Sequence, residues 1–447
     1  MNYLLLKNGF VVSPHSIKKE DILVGGNKIL EIAPNLKRPT SETPVIDASD
    51  KYIMPGIIDI NRSFLEFIKC QSDTEEILRL NQAQMYNGTT MMIDSIEDNP
   101  KKDYQKNIEA AKKRGSQNSI DFSFHLKFNK LKNITTDIID NSYLHEGISS
   151  LTINIGSLYA VSEEVIQNIL SGILNNDLLL VCDLSINHNK EEKSSELYST
   201  ITIEDHFQTL NMLINVGVSY GCSIMFTNIL FVEEYNLIYG GIERKADFYG
   251  SLILPFNIGE TQKVNGLSNR NYLFKDATNK LTFLSEEAVW QIINSNRFII
   301  ASPPFNLQSS KDVSGGLVYN RPDRYHYLRN YQSVLFTSGV NQKQISIQKL
   351  SNITSTLPAK LMGVYPQKGI LAIGSDADIV VWNPDFDRNL YCTLPSAEAN
   401  HNEYKLKGRC DFVFLKGQMV YNGELFDSRK TSGSFIFRTS LEPLNLE

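Results

Sequence analysis

Paired cysteines are missing from this chain. Its five cysteines, Cys70, Cys182, Cys222, Cys392 and Cys410, fall at irregular intervals with no CxxC. An odd, scattered set excludes a disulfide framework and a zinc knuckle. A basic excess is also missing. The net charge is -6, and the densest cationic stretch is the short run Lys112-Lys113-Arg114. A general nucleic-acid binder carries a basic face, so no nucleic-acid partner is expected. No apolar run reaches the roughly 18 residues of a membrane span. The apolar start, MNYLLLKNGFVV, lacks a basic flank and a small-residue cleavage site, so it is not read as a signal peptide. These absences predict a protein of the reducing cytoplasm that stays off membranes.

Catalytic signatures are equally scarce. Neither a GxGxxG fingerprint nor a P-loop occurs, which removes the usual support for an open phosphate-binding sheet. No GxSxG nucleophile elbow is identified. The seven histidines, His15, His125, His145, His188, His206, His326 and His401, form no His-x-His and no HExxH. His125 lies mid-strand in DFSFHLKF and is expected to be a hydrogen-bonded core histidine.

What is present is a large, ordinary globular chain. Its 447 residues are 42% hydrophobic and 21% charged, enough for a barrel plus an accessory domain. The two ends share a style. YLLLKNGFVVS and DILVGGNKILEIA near the start, and DADIVVW and DFVFLKGQMVYNGELF near the end, are apolar runs broken by Asn-Gly, Gly-Gly-Asn and Lys-Gly. Such dipeptides favour positive φ and predict hairpins. Strand-rich ends around a long insert predict one small β-sandwich drawn from both termini.

The middle alternates between helical and strand patterns. SDTEEILRLNQAQMYNG opens with Ser72 and Glu75 at capping-box spacing and precedes TTMMIDS. KKDYQKNIEAAKKRG precedes IDFSFHLKF, SEEVIQNILSGILNND precedes LLLVCDLS, TIEDHFQTLNMLINVG precedes CSIMFTNIL, and SEEAVWQIINSN precedes RFIIAS. Repeated helix–strand units with apolar strands predict a parallel sheet covered by helices, and the length of the insert favours a (β/α)8 barrel. The expected class is therefore α/β, a TIM-like barrel with a small β-sandwich. Its expected divisions are 1–53 and 358–430 for the sandwich, 54–357 for the barrel and 431–447 for a tail. The polar stretch Asn257–Thr282 is expected to cover one barrel mouth.

Five segments carry a family signature in order. YIMPGIID, NGTTMMID, AVSEEV, PAKLMGVYPQKGILAIGSDADIVVWNPD and LKGQMVYNGELF resemble the dihydropyrimidinase and hydantoinase group of the amidohydrolase superfamily. The match runs from about Leu4 to Phe426. Dihydroorotases and allantoinases share a looser version, and the collapsin-response proteins are a non-catalytic branch. The resemblance implies a barrel hydrolase acting on cyclic amide C–N bonds of the dihydropyrimidine, hydantoin or dihydroorotate type. Two zinc ions would lower the pKa of a bound water. A His-x-His on the first strand, a carboxylated lysine, two further histidines and an aspartate would hold them.

Carried onto this chain, those six positions fall on Asn61, Ser63 and Thr152, near Cys182, on or beside Phe226, and on Ala301, with Ser302 following. No lysine occurs between Lys132 and Lys190, so a shifted alignment cannot restore the carbamate. Cys182 is the one replacement able to bind zinc, and its bland reading is a buried apolar residue. Asp59, Cys182, Asp183 and Ser302 are the candidates for a residual pocket. If Cys182 points in, Asp183 points away by strand alternation. The expected protein is a pseudoenzyme with no catalytic residues and no metal cofactor, working by binding or assembly. The resemblance also implies a homo-oligomer, dimer or tetramer, or a hetero-oligomer with an active paralogue. The alternative is a hydrolase with one non-standard metal held by Cys182, Asp183 or His188.

Overall fold

The N-terminal run folds into antiparallel strands, with one of its two expected turns replaced by a bulge. In the computed structural model, which describes residues 2–62, 74–97, 104–128, 131, 134–135, 138–140, 145–159, 161–185, 202–252, 281–301, 324–390, 404–426 and 433–441, β1 (Tyr3–Val12) runs straight through Asn8-Gly9. That dipeptide makes a bulge, with the register shifting between Leu6 and Gly9 and Asn8 at φ 66°. Glycine is required there because a Cβ would stand 2.6 Å from Ile53 Cδ1. The Gly-Gly-Asn break does turn the chain, with Gly26 at φ 63° between β2 (Ile17–Gly25) and β3 (Lys28–Ala33). β4 (Val45–Asp47) and β5 (Tyr52–Pro55) then pair with β1 in parallel.

Eight parallel strands follow, in sequential order across one sheet. They are β6 (Ile57–Arg62), β7 (Thr89–Glu97), β8 (Asp121–Phe128), β9 (Ser150–Asn154), β10 (Leu179–Asp183), β11 (Ile224–Ile229), β12 (Phe248–Leu252) and β13 (Phe298–Ile300). The helices between them include α1 (Thr74–Tyr86), α2 (Tyr104–Gly115), α3 (Glu163–Asn175), α4 (Ile203–Tyr220), α5 (Val232–Glu243) and α6 (Glu286–Ile293). Local signals set their ends. Thr202 and Asp205 form a capping box on α4, and Gly221 closes it at φ 68°, as the unpaired backbone groups of a helix end require. After α7 (Arg324–Leu335) and α8 (Ile347–Ser351), a π-helical turn over Asn352–Thr356 packs against both edge strands, β6 and β13. It bridges the seam of the barrel before α9 (Leu357–Leu361).

The C-terminal strands β14 (Ile379–Leu390), β15 (Tyr404–Leu415) and β16 (Gln418–Tyr421) rejoin the first ones. β14 pairs antiparallel with β5, Val381 opposite Ile53, so both chain ends share one eight-stranded sheet. That sheet closes on its own core of Leu6, Val24, Ile53, Ile379 and Phe414. No helix among the described residues is long and apolar enough to cross a membrane. Ser72 and most of Asn257–Thr282 lie outside the described residues.

Candidate functional site

Two helical glycines reveal which strand faces look outward. A Cβ on Gly217 of α4 would stand 2.6 Å from Ile224 Cδ1, and one on Gly241 of α5 2.4 Å from Phe248 Cε2. Ile224 and Phe248 therefore face the helices. The parallel register carries that face along the sheet: Phe226 pairs with Gly250, and Cys182 pairs with both Phe226 and Ile153. Alternation then turns Thr152, Val181, Asp183, Met225 and Thr227 toward the barrel axis.

This register separates the expected site residues. Cys182 and Phe226 lie on the helix side, Phe226 edge-to-face on Phe248 at 5.5 Å. Asp183 is the residue of β10 that faces the axis, so the condition attached to Cys182 is not met. Cys182 is fully buried, and burial, then Asp183 and Glu234, push its thiol far up. Thr152 faces the axis with its hydroxyl buried and no hydrogen-bond partner among the described residues. Ala301 follows β13 and is buried. Asp59 is buried and registered with Met92, after which β6 bulges before Arg62 meets Asp94. Asn61 lies on β6, while Ser63, His188 and Ser302 lie outside the described residues. Of the expected pocket, Cys182 and Asp183 thus face opposite sides of the sheet.

Several polar groups that face the axis, Thr152 excepted, already serve one another. Asp183 accepts from Asn228 Nδ2 at 2.6 Å, from the Ser185 amide at 2.9 Å and from Ser185 Oγ at 2.7 Å. Asn228 reaches it because it sits at φ 62° in a bulge of β11. Lys127, registered with Thr152, lies 3.5 Å from Glu97. Deeper down, His125 Nδ1 meets Ser150 Oγ at 2.6 Å and His125 Nε2 meets the Ile60 carbonyl at 3.1 Å.

Ser150 Oγ also accepts from Arg438 Nη2 at 2.8 Å. Its own hydrogen then goes to His125 Nδ1, which leaves the ring proton on Nε2 for Ile60. Burial, then the Arg438 charge, lower the His125 pKa to about 3. Burial likewise lowers Arg438 to about 9.

Among the described residues, the axis-facing donors do not match a pair of zinc ions, which need several imidazole nitrogens, thiolates or carboxylates: both His125 nitrogens and both Asp183 oxygens already hold hydrogen-bond partners. Among the described residues, one trio has ligand atoms close enough to share a cation: Asp121, Asp376 and Asp378. It lies at the start of β8, opposite the mouth, and the Lys368 ammonium already sits among it. The distances are 2.7 Å to Asp121, 3.2 Å to Asp376 and 2.5 Å to Asp378. Lys28 and Lys416 add contacts at 2.7 Å to Asp376 and Asp121. Burial opposes the charge on Lys368, but Asp378, Asp121 and Asp376 raise its pKa nonetheless. This is a structural ion cluster tying barrel to sandwich.

Three features escaped the sequence. Tyr159 Oη meets His206 Nδ1 at 3.0 Å, and His206 Nε2 meets Glu234 Oε1 at 3.1 Å. Glu234 Oε2 accepts from the Leu230 and Phe231 amides. This chain lies between α4 and α5, outside the barrel wall, and only the capping position of Glu234 signals it. The string Gly217-Val218-Ser219-Tyr220-Gly221 does spell GxSxG. It ends helix α4, where Ser219 Oγ donates to the Asn215 carbonyl at 2.9 Å, so it lacks the strand-to-helix setting of an elbow. Arg438 comes from the unassigned tail and carries no recognisable motif.

The chain's likenesses agree with this geometry of kept scaffold. The amidohydrolase family model matches residues 327–420, the last helices and the returning strands. Over 465 residues the chain is 22% identical to the D-hydantoinase of Geobacillus stearothermophilus, covering 97% of this chain and 96% of that one. It is 21% identical to a D-phenylhydantoinase of Escherichia coli, over 98% of this chain and 99% of that one. Among solved structures, the dihydropyrimidinase of Brevibacillus agri superposes with a TM-score of 0.76 at 19% identity, covering 99% of this chain and 100% of that one.

Proposed function

We propose, from the premise that this chain belongs to the dihydropyrimidinase and hydantoinase group of the amidohydrolase superfamily, that it is a non-catalytic barrel of that group. It works through binding or assembly and lacks the binuclear metal centre. One observation carries this reading: carried over from the resemblance, the group's six metal-holding positions fall on Asn61, Ser63 and Thr152, near Cys182, on or beside Phe226, and on Ala301, and the axis-facing neighbours of Cys182 and Phe226 are Asp183 and Thr227. Their replacements offer neither the imidazoles nor the lysine that the chemistry needs. Its expected setting is the cytoplasm, as a homo-oligomer or joined to an active paralogue.

Incubation with hydantoin, dihydrouracil and dihydroorotate in the presence of zinc tests the reading. No ring opening above the buffer rate is expected. Sustained zinc-dependent turnover would overturn it. Light scattering on the purified protein, with recovery of partners from its native extract, tests the assembly role; a monomer with no partner counts against it.

Similarity over 97% of the chain favours a second reading, a cyclic-amide hydrolase with one non-standard metal. Cys182 and Asp183 are adjacent on one strand and face opposite ways, so they cannot share that ion without rebuilding β10. Loss of a bound metal on Cys182→Ala would support this reading against ours.

A further inference from the structure

The barrel wall has a gap, and the chain's own tail fills it. β8 pairs with β9 only from Leu126 opposite Leu151 onward. Along the first half of β8 the partner is the segment after Gly433. The Phe122 amide donates to the Ser434 carbonyl at 3.0 Å, and the Ile436 amide donates to the Phe122 carbonyl at 2.8 Å. The segment is held beyond β8 as well. The amides of Gly433, Arg438 and Thr439 donate to the carbonyls of Asn118, Gly147 and Gly363 at 2.8, 3.0 and 2.9 Å. Gly147 and Gly363 make room: added Cβ atoms would stand 2.4 Å from Phe437 and 2.0 Å from the Thr439 carbonyl.

The side chains alternate as a wall strand's must. Phe435 faces the helices, its ring 5.9 Å from Phe122 and 5.5 Å from Phe124, with Lys112 Nζ 4.2 Å above it. Arg438 faces the axis and is fully buried. It donates to Ser123 Oγ at 3.1 Å, to Ser150 Oγ at 2.8 Å and to the Phe124 carbonyl, and touches Met362 Sδ at 3.5 Å. Among the described residues it makes no ion pair. A buried guanidinium satisfied only by neutral acceptors is costly to leave unbonded, so this pocket discriminates by geometry rather than by net charge.

We propose that the gap between β8 and β9 is a peptide-binding slot, selective for an extended segment with an aromatic residue three positions before an arginine, and that residues 433–440 occupy it as an exchangeable ligand in cis. Recognition is by strand addition: backbone bonds give affinity, and the Phe435 and Arg438 pockets give specificity. The slot does not depend on whether the barrel hydrolyses anything.

The test uses the full chain carrying a protease site within residues 427–432, cut in the folded state. The freed tail is expected to co-elute with the barrel. A labelled peptide of residues 433–441 is expected to replace it at one per chain. The same peptide with Arg438→Leu should bind about tenfold more weakly or worse, as lost hydrogen bonds from a charged group require. The peptide arm is read on the wild-type barrel, so a poorly folding Arg438 variant does not blur it. A tail that leaves on cutting, a labelled peptide that never enters, or a leucine peptide that competes equally would each overturn the proposal.

Discussion

His125 allows a sharp test of the barrel interior. Its pKa is lowered from 6.5 to about 3, chiefly by burial and then by the Arg438 charge. Because the folded value lies below the unfolded one, the stability carried by neutral His125 is full above about pH 6.5 and is lost as pH falls toward 3. At about 1.4 kcal/mol per unit, that interval holds roughly 5 kcal/mol, of which roughly 3 is gone by pH 4.5. The perturbation is His125→Gln, which does not titrate but can accept from Ser150 and donate to Ile60. Equilibrium denaturation of both proteins at several pH values lets the other titrating groups cancel. The wild-type advantage is expected to shrink by about 1.4 kcal/mol per pH unit between pH 6 and 4. Two parallel stability curves would refute the lowered pKa of His125 and the neutral imidazole that follows from it.

Removing the ammonium with Lys368→Met leaves Asp121, Asp376 and Asp378 buried together, and thermal unfolding should report a loss of about 3–5 kcal/mol. An unchanged melting temperature would dismiss the cluster as a tie between barrel and sandwich. Gly241→Ala sets a Cβ 2.4 Å from Phe248, and overpacking of this kind costs about 1–3 kcal/mol. Its neighbour Gly240 has open space, so Gly240→Ala should be neutral or stabilising by up to about 1 kcal/mol. Equal effects at the two glycines would contradict the outward orientation of Phe248, from which the facing of Cys182 and Asp183 follows. His206→Ala removes one hydrogen-bond partner of the buried Glu234 carboxylate and should cost about 1–3 kcal/mol in the same assay.

The barrel was legible where strands are long and apolar and where helices start at Thr202 or Ser285. β12 was not. Its five residues include Gly250, whose missing side chain makes room for Phe298 at 2.5 Å, so the apolar run is broken by a packing need invisible in the sequence. Helix α5 was missed for a related reason: Phe231 stands at its N-cap, the Glu234 side chain caps it from within, and Gly240-Gly241 interrupts it. The hairpin expected at Asn8-Gly9 became a bulge because positive φ serves either purpose.

At the site, residue identities were readable but facing was not. A one-residue choice of register exchanges Cys182 for Asp183 at the axis, and only the contacts of Gly217 and Gly241 decide it. The role of Arg438 depends on tertiary docking across some 290 residues of chain separation from Ser150, beyond any local pattern.

The central claim is the dismantled metal centre, and metal counting tests it most directly. The purified chain, incubated with excess zinc and bicarbonate and then desalted, should retain well under one metal ion per chain by elemental analysis. Retention of close to two per chain would contradict the account.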